Sequence, residues 1–223
     1  SNNIFIITLD DNSTIYSDIK IPENYSASIK KGLPVIVKIS SYKNKVFEGE
    51  EDDVLKRYYL AGKQYRADIV VRVTGDNPYV SHEVVQIALD SHFINAADYS
   101  APKEFTQGTA VEIINASSLV KLLKIFPNAE YSEYMTWYFQ NNKEFFNVNI
   151  FELPKNLISN HRLTLDYPED LKMFNLIEDY FKKSKEQKSL YNIISFLDSN
   201  PSISKINQSI EPVYSADNNL IKE

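Results

Sequence analysis

The chain has 223 residues, 43% of them hydrophobic and 24% charged, with a net charge of −6 and no cysteine. That length buries a core without covalent staples, the balance excludes wholesale disorder, and the lack of cysteine excludes disulfides, thiol nucleophiles and zinc–cysteine or iron–sulfur sites. The acidic balance, with no basic block, excludes a general nucleic-acid binder, and no apolar run approaches the roughly 18 residues of a membrane span, so a cytoplasmic protein is expected.

Residues 3–9 are a short apolar run that stops at Asp10-Asp11-Asn12, the pattern of a buried strand ending in a turn. Residues 13–34 lack a period and contain Pro22 and Pro34, so they are expected to be mostly loop; 34–39 form a second candidate strand. The acids of 48–53 suit the N-terminus of a helix over 54–60. Residues 68–74 are nearly all β-branched and apolar, as in a central strand covered on both faces, and end at Gly75-Asp76-Asn77-Pro78. Helical spacing follows over 81–94, then a strand at 110–114, with Asn115 as N-cap of a helix through Phe126. An aromatic-rich helix is expected over 129–141, strands at 147–153 and 163–165, and a helix from Pro168 to about 183 with the proline at its first position. Helical pieces at 190–197 and 203–206 precede a polar tail. Strands alternating with helices predict an α/β sheet flanked by helices, as one domain over 1–210 with a flexible tail at 211–223.

The five glycines are Gly32, Gly49, Gly62, Gly75 and Gly108, a spacing that builds neither a Walker loop nor a G-x-G-x-x-G turn. A phosphate site must then use side chains, a metal or isolated amides. Two strand ends share one arrangement, Arg72-Val-Thr-Gly-Asp76-Asn-Pro and Arg162-Leu-Thr-Leu-Asp166-Tyr-Pro. Residues i and i+4 of a strand share a face. On neighbouring strands the two carboxylates converge beyond the carboxyl ends, where open α/β sheets bind ligands, and two acids suit Mg²⁺. The arginines have two open roles, holding phosphate or pairing with the aspartates. A lone Asp-x-Pro is more often a turn or cap; the duplication raises the site reading to parity. Glu112, inside an apolar strand, either contacts a sugar hydroxyl or metal-bound water, or points out of the sheet. His82, His92 and His161 are too dispersed for a metal site. The aromatic group Tyr131, Tyr134, Trp137 and Tyr138 suits core or a homodimer interface, and no G-x-S-x-G or H-E-x-x-H supports a hydrolase.

Five blocks in order, at 47–59, 67–78, 108–112, 132–136 and 161–171, resemble the cytidylyltransferases of the spore-coat polysaccharide F type, relatives of the synthetases that make CMP-activated sialic and deoxy-octulosonic acids. The resemblance covers about 45–210, and 190–207 fits the family's final helices. It implies a GT-A-like fold with a mixed, mostly parallel sheet. It also implies CTP and an acidic sugar as substrates, Mg²⁺ as cofactor and release of pyrophosphate. By the same resemblance Asp76 and Asp166 are the metal ligands, Arg72 and Arg162 the catalytic cations, and Asn77, Glu112 and Thr136 the substrate-binding residues.

The family's N-terminal R-x-x-S-x-R-L-P-x-K loop is not found. The chain is expected to begin late in the family pattern or to have a rebuilt N-terminus, and 19–44 matches no family block. Ala110 stands where the family usually has Asp, and Tyr134 where it usually has His. These departures leave two hypotheses, a cytidylyltransferase and a catalytically degenerate relative acting as a binding or partner subunit. A GT-A glycosyltransferase fits less well, for want of a D-x-D after a strand.

Overall fold

A computed structural model of the protein describes residues 4–9, 47, 53–127 and 134–210. Their backbone forms a five-stranded mixed sheet. The strands are β1 (Ile4–Leu9), β2 (Ile69–Thr74), β3 (Tyr99–Pro102), β4 (Glu112–Asn115) and β5 (Val148–Phe151), in the spatial order β1-β2-β4-β3-β5. β1 pairs with β2 in parallel, Ile4 beside Ile69 through Leu9 beside Thr74. β4 is antiparallel to both neighbours, and β3 pairs in parallel with β5. Four strands therefore share one direction and β4 opposes them. The expected central strand is β2, which is bonded on both edges; the middle place in the order belongs to β4.

Helices cover both faces, which is why β2 is apolar at successive positions. On one face Ile69, Val71, Val73 and Ile113 meet three helices: α2 (His82–Ile94), α5 (Pro168–Ser184) and α6 (Leu190–Ser199). Val84, Ala88, Met173, Ile177, Ile193 and Leu197 fill that layer. On the other face Val70, Tyr99 and Ile114 pack against α1 (Val54–Tyr65), α3 (Ala116–Ile125) and α4 (Met135–Asn141). Tyr99 stacks on Phe139 with centroids 5.3 Å apart. Each fully buried aliphatic side chain adds about 1.5–3 kcal/mol of transfer free energy.

Local chemistry sets the ends of these elements. Asp53 caps α1, its carboxylate accepting from the Lys56 amide at 2.9 Å. Arg66 ends that helix in the left-handed region at φ 55°. Ser81 caps α2, and Pro168 opens α5 at its first turn. A last short helix, α7 (Pro201–Ser204), follows α6.

Several expectations change. No strand forms at 163–165; Arg162, just before that segment, makes an isolated parallel bridge with Gln107. The segment's amides go to loop carbonyls instead, Leu163 N to Gln107 O and Leu165 N to Asp76 O, each at 2.8 Å. β3 was not expected from its sequence. Asn115 does precede α3, but its side chain does not cap it; it donates to Ala97 O and meets His92 Nε2. The aromatic helix is described over Met135–Asn141, and its expected first residues lie outside the described ones. So do the strand at 34–39, the loop at 13–34, most of the acidic run at 48–53 and the tail. Among the described residues no helix is long and apolar enough to cross a membrane.

Candidate active site

β2 delivers its chain end to a turn at Gly75 and Asp76. Asn77 closes it, its amide bonding Thr74 O at 3.2 Å and its side chain donating to Thr74 Oγ1 at 2.7 Å. The segment carrying Thr164 runs past this turn and is fastened to it by the Leu165 amide on Asp76 O. Gly108 permits the approach: its φ is +84°, and a Cβ there would lie 2.1 Å from Leu163 O.

The two aspartates converge on one hydroxyl. Thr164 Oγ1 lies 3.1 Å from Asp76 Oδ2 and 3.1 Å from Asp166 Oδ2, so these oxygens are no further apart than twice that distance. A threonine hydroxyl has one hydrogen to give, so one carboxylate at a time lacks it. Asp76 Oδ1 is buried and has no hydrogen-bond partner among the described residues. The Asp166 side chain is 40% exposed.

Arg162 supplies the nearest cation. Its Nη2 donates to Asp166 Oδ2 at 2.5 Å, while Nε and Nη2 donate to the two oxygens of Asp170 at 3.0 and 3.2 Å. Burial opposes the guanidinium charge, but Asp170 and Asp166 outweigh it and keep Arg162 more basic than usual. Asp170 is fully buried. Burial would raise its pKa, and the Arg162 bonds with the amides of Asp166 and Tyr167 and the side chain of Asn207 pull it below the ordinary carboxylate value.

The other arginine of the repeat is used differently. Arg72 faces Glu112 across the β2–β4 ladder, and Nη1 donates to Glu112 Oε2 at 2.5 Å. Tyr99 donates to the other oxygen of Glu112, and Gln140 donates to the Tyr99 hydroxyl at 2.8 Å. Burial lowers the basicity of Arg72, but the Glu112 charge more than restores it. Burial pushes the nearby Tyr58 up to about 12, so it stays a phenol. Glu112 therefore points to a partner within the sheet, and Arg72 pairs with it through Nη1. Thr136 is buried in the first turn of α4. Five of the seven residues expected from the sequence thus fall into two groups, Asp76 with Asp166 and Arg162, and Arg72 with Glu112.

Sequence reasoning did not name Thr164, Asp170 or Asn207. Thr164 was within reach, because the repeat in full is Arg-x-Thr-x-Asp-x-Pro. A further cation, Arg57 on α1, has a buried Nε without a partner among the described residues. A cavity of about 350 Å³ lies between α1 and α3 beside Tyr59, Lys63 and Val120; its lining contains none of these site residues.

A family model described as cytidylyltransferase matches residues 28–196. It reaches upstream of the resemblance at 45–210, into a stretch that the sequence alone left without a counterpart. MJ1063 of Methanocaldococcus jannaschii, an uncharacterized protein, is 34% identical over 187 residues, 83% of this chain and 76% of its own length. The spore coat polysaccharide biosynthesis protein SpsF of Bacillus subtilis is 29% identical over 161 residues, 70% of this chain and 66% of its own. A cytidylyltransferase from Leptospira borgpetersenii superposes with a TM-score of 0.64 at 26% identity, covering 95% of this chain and 80% of that one. The fold is thus that of a nucleotidyltransferase, and the chain belongs to the cytidylyltransferase family.

Proposed function

We propose that the chain transfers CMP from CTP to an acidic sugar with Mg²⁺, releasing pyrophosphate, in the synthesis of a surface polysaccharide. The observation behind this reading is the meeting of Asp76 and Asp166 at one hydroxyl, with a buried Asp76 oxygen left unpartnered among the described residues. Mg²⁺ takes one or two carboxylates and fills its remaining places with water and phosphate oxygens at about 2.0–2.1 Å, so this donor set fits it. Bound there, it would supply charge neutralisation to the triphosphate. The chain's own part is positioning. The β2 turn presents Asp76, and the segment held at Gly108 presents Asp166 beside it. An acceptor hydroxyl would attack the α-phosphorus in line with the departing pyrophosphate, a reaction that needs alignment and charge more than covalent help. The likeness to SpsF, a spore coat polysaccharide biosynthesis protein, supports the pathway class.

A second reading, a non-catalytic relative that binds nucleotide, is favoured by one observation. Both arginines of the repeat pair with carboxylates, which leaves fewer cations for a triphosphate among the described residues. Lys30 and Lys31, other candidates, lie outside the described residues. Losing one preorganised donor commonly costs about 10²–10³ in rate, so turnover well below about 1 s⁻¹ is expected. Pyrophosphate release from CTP with a panel of nonulosonic and octulosonic acids tests both. Release that needs Mg²⁺ and an acidic sugar supports transfer; CTP binding with no release under any acid supports the second reading.

A further inference from the structure

We infer that Arg162 is a positioning residue: with Asp170 and Asn207 it forms a buried clamp that fixes Asp166 for the cation it shares with Asp76. This rests on the metal reading above.

Five hydrogen bonds converge on Asp170. Its Oδ1 accepts from Arg162 Nε at 3.0 Å and from Asn207 Nδ2 at 2.7 Å. Its Oδ2 accepts from Arg162 Nη2 at 3.2 Å and from the amides of Asp166 and Tyr167 at 3.0 and 2.9 Å. A carboxylate has about four acceptor sites, so Asp170 is saturated. It has nothing left to offer a metal or a proton.

Asp166 is held at two points by this unit. Its amide donates to Asp170 and its carboxylate accepts from Arg162. Arg162, Asp170 and Asn207 are all buried, whereas Asp166 is the member that faces outward. The Tyr167 ring lies 5.6 Å from the guanidinium carbon. A phosphate-gripping arginine presents a free two-nitrogen edge. Both such edges of Arg162 include Nη2, which already serves two carboxylates. Asn207 also donates to the Arg162 carbonyl at 3.0 Å, so the segment after α7 fastens the clamp from a distant part of the chain.

Arg162→Lys keeps the charge and loses the fork. Partners that orient metal ligands typically change metal affinity about 10–100-fold when altered. The expected result is Mn²⁺ affinity, read by electron paramagnetic resonance without nucleotide, weaker by about tenfold or more. CTP binding in EDTA, read by calorimetry, should stay unchanged. Unchanged Mn²⁺ affinity, or loss of CTP binding in EDTA, would overturn the assignment. Asp166→Asn checks the underlying reading separately: if it leaves Mn²⁺ affinity intact, the metal site itself is wrong. Should Arg162→Lys fail to fold, amide exchange in the unaltered protein decides. The Asp166 and Tyr167 amides should exchange slowly in EDTA. Fast exchange that slows only with Mg²⁺ and CTP would show that no clamp exists beforehand.

Discussion

Gly108 and Leu163 approach so closely that a Cβ on the glycine would fall 2.1 Å from the leucine carbonyl oxygen. This contact seats the segment carrying Asp166 against the chain at Gly108. Any other residue would also have to adopt φ +84°. Left-handed backbone alone costs a residue with a Cβ about 1–2 kcal/mol, and relieving the overlap adds to that. Gly108→Ala should lower the melting temperature by about 4 °C or more and weaken metal binding. A variant that melts like the parent would show that the segment yields freely.

Thr164→Val swaps the hydroxyl for a methyl of similar size. Hydrogen bonds to charged groups contribute about 1.5–3 kcal/mol, so stability should fall by an amount near the lower end, because one proton serves two acceptors. Thr164→Ser should restore it. Equal stability in the valine and serine variants, measured by urea unfolding, would remove the bridging hydroxyl from the account.

His92 gives a pH dependence. Its ring is buried and meets Ser100 Oγ at 2.8 Å and Asn115 Oδ1 at 3.3 Å. Burial pushes its pKa below the ordinary 6.5, against smaller opposing pulls from Asn115 and Asp98. The unfolded chain therefore takes up this proton first as pH falls. Stability linked to His92 is complete above about pH 6.5 and is lost as pH drops from there toward the folded value. Melting temperatures between pH 7.5 and 5.5 should fall more steeply in the parent than in His92→Gln. Matching slopes would contradict this.

The parts of the fold that depend on local pattern could be read from the sequence. β2 announces itself as a run of β-branched residues covered on both sides, and α5 by its proline start. β3 could not be read, because Tyr-Ser-Ala-Pro has little strand character and becomes a strand only between β4 and β5. The segment at 163–165 has the composition of a strand, but loop carbonyls take its amides. The convergence of Asp76 and Asp166 followed from the repeat. The split between the arginines did not, because Glu112 and Asp170 are brought to them by pairing and packing. Nothing near Asp170 in sequence announces Asn207.

The shared cation site is tested most directly by thermal melting with CTP, with and without Mg²⁺, in the parent and in Asp76→Asn. A ligand present at 100 times its dissociation constant and bound only by the native state adds about 2.7 kcal/mol, or roughly 5–11 °C for a chain of this size. The expected result is a rise of that order in the parent with CTP and Mg²⁺ together, a small one in EDTA, and none dependent on Mg²⁺ in Asp76→Asn. An equal rise in EDTA, or a full Mg²⁺-dependent rise in Asp76→Asn, would show that the two aspartates do not hold the metal.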